Sequence, residues 1–213
     1  MKLICIFHQN QTLEQKSGVF QGISSFTLHI IAMLLMLCDH FWATILFQYD
    51  WLTWVGRLAY PIFAFMLVEG YFHTHNLKKY MGRLLFWAIL SEIPFNLMYG
   101  GGLIYPFHQN VLWTFILGLL CITAIEKTRN KGKPLLTIIV FLLSAVVGYL
   151  LGFIAMVDYF GYGVLMILVF YLFRGRKWWC FLGQFVGLFL INVMLIGGLS
   201  VAVQILGHEI FIV

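Results

Sequence analysis

Charge is what this sequence has least of. Only 10% of its 213 residues are Asp, Glu, Lys or Arg, where a soluble domain has about a quarter. Long polar stretches and low-complexity tracts are missing, and so is any clear internal repeat, which excludes a repeat architecture and a disordered tail as the organising feature. The four cysteines, Cys5, Cys38, Cys121 and Cys180, are scattered with no CxxC spacing, so they point to neither a disulfide framework nor a metal site. There is no GxSxG elbow, no Walker loop and no zincin motif, because HEIF at 208–211 lacks the second histidine. The start, MKLICIFHQNQTLEQKSG, lacks a signal peptide's long apolar core and small-residue cleavage site, so the first long apolar run is expected to direct insertion.

What is there in excess is hydrophobicity, at 62% of residues. Repeated apolar runs of about 18 residues or more predict an all-α polytopic membrane protein. The runs fall at 26–47, 52–72, 80–98, 110–126, 135–157, 160–173 and 178–198. That makes seven spans, or eight if the tail after Gly197-Gly198 forms another half-span or interfacial segment. Residues 1–24 are then a cytoplasmic segment and 25–213 one transmembrane domain. The sixth run is short for a hydrocarbon core and is expected to start earlier or to sit tilted behind its neighbours.

Loop charge sets the orientation. Twelve of the thirteen basic residues lie before the first run or after the second, fourth and sixth, while the alternate loops, FQYD, YGGGLIYPFHQN and VDYFGYG, have none. The positive-inside rule predicts a cytoplasmic N-terminus in the cytoplasmic (inner) membrane. This placement also accounts for the net charge of +5 without nucleic acid as a partner.

Against this background the charged groups inside the runs stand out. Each costs roughly 2.5–3.5 kcal/mol near a helix centre, so a chain keeps them where they face one another or water. Asp39 and His40 sit side by side in the first run, about 20 Å from its cytoplasmic end. Arg57 is about 8 Å into the second run from outside, and Glu92 about 18 Å up the third. With His108 and Asp158 from the outer loops, they are expected to line a cavity open outward. Glu69 and His73, four residues apart on one helix face, are expected beneath it near the cytoplasmic mouth.

Histidine is the usual general base near neutral pH, so His40 is the candidate base, with Asp39 or Glu92 to orient it. Arg57 can pair with either carboxylate, grip a phosphate or carboxylate, or snorkel to the interface. Asn110 is placed to cap a helix, and Pro61 to kink the second span beside Arg57. Neither Glu69-His73 nor any other pair supplies the ligands that zinc requires.

The segments MLLMLCDHFW, GRLAYPIFAFMLVEGYFHTHNLKKYMGRLLFWAILSEIPFNL, HQNVLWTFILGLL and DYFGYGVLMI together resemble the TraX family, in order and spacing, over about 25–173. The family's motif positions fall on Asp39-His40, Gly56-Arg57, Glu69-Gly70 and Ser91, Glu92 and Pro94. The resemblance implies a polytopic inner-membrane protein related to membrane acyltransferases that use cytosolic acyl-CoA; the founding member acetylates conjugative pilin. An acceptor protein or glycan, pilin-like or a cell-surface polymer, follows as partner beside the lipid bilayer, with acetyl-CoA or another acyl-CoA as co-substrate and no metal. Catalysis would fall to His40, Asp39 and Glu92. Arg57, Glu69, His73, His108, Asn110 and Asp158 would bind substrate. The Asn-Gly turn and aromatic-Pro-x-His helix that usually close family members have no counterpart before Val213, which points to a shorter branch or a truncated chain. The rival functions are a proton-coupled transporter using Asp39, Glu69 and Glu92, and a membrane scaffold without chemistry. Missing inverted repeats weigh against the transporter.

Overall fold

A computed structural model describes residues 24–99, 102–105, 107–196, 201–205 and 208–212. Each of the seven apolar runs contains helix among its described residues. The helices are α1 (Ser25–Thr44), α2 (Trp51–Gly56), α3 (Ala59–His73), α4 (Leu77–Tyr99), α5 (Val111–Arg129), α6 (Pro134–Ile154), α7 (Phe160–Leu172) and α8 (Trp178–Leu190). Local chemistry sets several of their starts. Ser24 Oγ accepts from the Thr27 amide at 3.1 Å to open α1, and Asn110 Oδ1 accepts from the Leu112 amide at 3.0 Å to open α5. Pro134 opens α6, where a missing amide hydrogen does no harm.

The second run is one span broken in two. Its helix stops at Gly56 and resumes at Ala59, with Pro61 in the first turn of α3. Pro61 has no amide to bond the carbonyl four residues back, which is that of Arg57, so the ladder interrupts there. The interruption expected beside Arg57 is a two-residue turn in which Arg57 and Leu58 keep helical dihedrals.

Four stretches are long and apolar enough to cross a membrane: Ser25–Thr44, Trp51–His73, Val111–Arg129 and Pro134–Ile154. This makes the chain a membrane protein. The helix α4 is as long as any, but Lys78, Lys79, Arg83 and Glu92 lower its hydropathy. The short α7 occupies the centre of the bundle, which explains how 13 residues suffice there. Gly161, Val164, Ile167, Leu168 and Tyr171 on it are buried against α3, α5 and α6. It meets α6 through small residues: a Cβ on Gly152 would lie 2.7 Å from the Gly161 backbone. Leu142, Val146, Phe185 and Phe189 are more than half exposed, as a lipid-facing surface requires.

The bundle is all-helical, as expected, and only the tail after it departs from helix. Beyond a π-helical turn at Ile191–Ile196, Val201–Ile205 and His208–Ile212 pair as a short antiparallel hairpin rather than a half-span. Alternating β-branched residues, Val201, Val203 and Ile205 then Ile210 and Ile212, favour that geometry.

The bundle has two unlike ends. At one, Glu69 accepts from Arg174 through both carboxylate oxygens, at 2.7 and 3.1 Å. The Arg174 guanidinium also lies 4.2 Å from the Phe72 ring centre. Glu126 accepts there from Arg129 at 2.7 Å and from the Tyr171 hydroxyl at 2.8 Å. All described basic residues except Arg57 belong to this end. The other end holds the cavity.

Candidate functional site

A cavity of about 910 Å³ opens where the halves of the helices remote from the basic loops converge. Its walls include Asp39 and His40 from α1, Arg57 from the break, Ser91 from α4, and His108, Asn110 and Asp158 from the connecting segments. Six of the expected residues, far apart in sequence, thus line one space. Glu92 lies one hydrogen bond behind the wall: its Oε2 accepts from the Asn110 side-chain amide and, at 3.0 Å, from Trp113 Nε1. Glu69 and His73 are at the far end of α3 in the ion pair already described, with His73 Nδ1 2.8 Å from the Glu69 carbonyl. They do not reach the cavity lining.

Asp39 is fixed by a close crossing. Thr53 Oγ1 donates to its carboxylate at 2.7 Å, which requires α2 to lie directly on α1. Gly56 permits this, since a Cβ there would stand 2.5 Å from Asp39 Cβ and 2.7 Å from its amide nitrogen. His40, next along the helix, points elsewhere, as a 100° step demands. His29 and His73 each satisfy Nδ1 on the carbonyl four residues back, at 2.7 and 2.8 Å. His40 does not: its Nδ1 is buried and has no partner. Neither Asp39 nor Glu92 bonds it. Arg57 is exposed at the mouth and, among the described residues, takes part in no ion pair, so the expected bridge to Asp39 or Glu92 is not formed.

Opposite α1, Asp158 Oδ1 stands 3.6 Å from His108 Nε2 and accepts from the Tyr159 amide at 3.1 Å. The turn presenting Asp158 is tied to the loop before α5 by Gln109, whose amide donates to the Met156 carbonyl and whose carbonyl accepts from the Asp158 amide, each at 2.9 Å. Met156, Tyr159 and Phe160 in this turn have φ of 49°, 59° and 45°. Each such left-handed side-chain residue costs on the order of 1 kcal/mol, and clusters of them mark sites where geometry is imposed for use.

A family model described as TraX protein matches residues 24–207. The chain belongs to the TraX family. A probable fimbrial assembly protein FimC, serogroup H1, from Dichelobacter nodosus is 35% identical over 134 residues. That match covers 57% of this chain and 53% of the relative, so the TraX-family chain spans about half the length of its curated relative. No solved structure matches.

Three groups of this TraX site escaped sequence reasoning. Thr53 and Trp113 orient the carboxylates of Asp39 and Glu92, and neither residue type signals such a role without coordinates. Tyr60 lines the cavity floor at 2% exposure with an unpartnered hydroxyl, and adjacency to Pro61 was the one hint that its position is special. Asn110 proves to be cap and connector together, because its side-chain amide also donates to the Ala88 carbonyl at 2.9 Å.

The Gly56 crossing yields a direct prediction. Gly56→Ala forces α2 off Asp39 and destabilises the protein by about 1–3 kcal/mol. Gly82→Ala, in open space on α4, is neutral or stabilising. Thermal denaturation of both variants in detergent checks this; a Gly56 variant as stable as the Gly82 variant contradicts the crossing.

Proposed function

We propose that this protein is an acyltransferase of the cytoplasmic membrane that moves an acyl group, acetyl first among candidates, from a cytosolic acyl-CoA to an amine or hydroxyl acceptor. The observation that carries the reading is His40, a half-buried imidazole lining a membrane-level cavity, whose buried Nδ1 has no hydrogen-bond partner. An unsatisfied nitrogen is costly in hydrocarbon, and a substrate proton is the partner it lacks. His40 removes a proton from the acceptor as its nitrogen or oxygen attacks the thioester carbonyl. The new C–N or C–O bond forms, the C–S bond breaks, and the imidazolium returns its proton to the departing CoA thiolate. Asp39, held by Thr53, and Glu92, held by Asn110 and Trp113, keep negative charge near the imidazolium as it forms. Arg57, exposed and unpaired, suits an anionic group of the incoming substrate.

The name of the fimbrial relative, together with the family's founding member, favours a pilin-like protein as acceptor; a glycan is the other candidate. In the proposed orientation the N-terminus and the basic loops are cytoplasmic, seven helices cross, and the cavity faces outward. The thioester then reaches His40 from the cytoplasmic side between α1 and α4, two helices that scarcely touch although both wall the cavity. Cysteines placed singly at 131 and 176 should resist a membrane-impermeant thiol reagent in intact cells, and one at 104 should react. Labelling of the basic loops from outside would reverse the orientation and remove this route.

His40→Gln should lower acyl transfer 10²–10⁴-fold, the range a general base supplies, while insertion and abundance stay near normal. Acetyl-CoA consumption by membranes given a peptide or glycan acceptor measures it. Unchanged turnover would take His40 out of the mechanism.

A further inference from the structure

Most hydrogen-bond donors in the cavity wall are already engaged within the protein. Thr53 donates to Asp39, Ser91 to the Trp87 carbonyl, Asn110 to Ala88 and Glu92, Trp42 to Asp50 and Asn192 to the Leu188 carbonyl. Tyr60 differs. Its ring is clamped between Tyr159, at 4.2 Å between centres, and Phe115, at 5.7 Å. Its hydroxyl is buried without a partner. Room for that hydroxyl is made on α7 by Gly163, where a Cβ would come within 2.7 Å of the oxygen. A buried phenol with no partner is destabilising by itself, so its retention on a residue lining the same cavity as the unpartnered His40 marks a position that a ligand completes.

We propose that Tyr60 is a further catalytic residue of the transfer, donating a hydrogen bond to the thioester carbonyl oxygen as that oxygen gains negative charge. This rests on the acyltransferase reading above. The division of labour is then definite. His40 moves the proton, and Arg57 at the mouth holds an anionic part of the substrate. Tyr60 keeps its own proton throughout and stabilises the tetrahedral oxyanion, which collapses with loss of CoA thiolate. The donor is held by ring stacking and not by a competing hydrogen bond, so no bond within the protein has to break when it turns to the developing charge. Arg57 is the less suitable oxyanion donor, because an exposed, flexible guanidinium lacks that fixed aim.

The test is Tyr60→Phe, which deletes one oxygen and keeps both ring stacks, in purified full-length protein reconstituted in lipid. Acetyl-CoA is the donor, and a peptide with a free α-amino group or a glycan is the acceptor in separate reactions. The expected result is a fall in kcat of about 10²-fold with little change in KM, as when one oxyanion donor is removed. Thermal stability should be unchanged or higher, since a buried unpartnered hydroxyl is gone. A purely structural tyrosine would leave kcat unchanged, with no loss of stability from an unpartnered hydroxyl. Wild-type kcat in the variant, or a loss confined to KM, overturns the role of Tyr60 and leaves the acyltransferase reading intact. No transfer by the wild-type protein with either acceptor overturns both.

Discussion

A polar atom inside a bilayer has no water to bond, and this constraint governs the arrangement of every charged side chain in the bundle. At the end with the basic loops the carboxylates are paired: Glu69 with Arg174, and Glu126 with Arg129 and Tyr171. Buried polar atoms without partners gather at the opposite end. The buried side-chain atoms without partners among the described residues are His40 Nδ1, Tyr60 Oη, Glu92 Oε1 and Asn96 Oδ1. Two belong to cavity-lining residues, and Glu92 is bonded to a third lining residue, Asn110. Random packing faults would not collect around one space.

The frame that holds these groups is rigid where it needs to be. The central helix α7 packs on α3, α5 and α6, and the turn leading into it presents Asp158 on a backbone that is left-handed at Met156, Tyr159 and Phe160. Gln109 ties that turn to the start of α5, and Asn110 ties the start of α5 to Glu92 and Ala88 on α4. The aromatic stack of Phe115, Tyr60 and Tyr159 then joins α5, α3 and α7 directly under the cavity. On the other side α1 rests on α2 and α3 and leaves α4 largely free, so the site combines a fixed floor with one loosely closed wall.

Much of this was legible in the sequence, for physical reasons. Hydrophobic runs announce helices because a bilayer leaves few alternatives for the backbone, and the break at Arg57 followed from Pro61. The convergence of Asp39, His40, Arg57, His108 and Asp158 followed from counting depth along antiparallel helices, which loop charge had oriented. Partnerships were not legible. Arg57 was expected to pair with a carboxylate, yet Asp39 turns to Thr53 and Glu92 to Asn110 and Trp113, because short neutral donors on adjacent helices lie nearer than a cation at the mouth. Tyr60 stayed hidden because an aromatic residue in a span is ordinarily packing, and only its missing partner distinguishes it. The tail, apolar enough for a further segment, paired as strands because β-branched residues alternate in it.

The central claim is that the unpartnered groups of the cavity are completed by an acyl donor. A structure determined with a non-transferable acyl-CoA analogue, its thioester sulfur replaced by methylene, tests this most directly. The account predicts the analogue's carbonyl oxygen within roughly 3 Å of Tyr60 Oη, its carbonyl carbon facing the space beside His40, and its pantetheine arm between α1 and α4. An analogue bound only among the basic loops, with the cavity unchanged and Tyr60 still unpartnered, would contradict it.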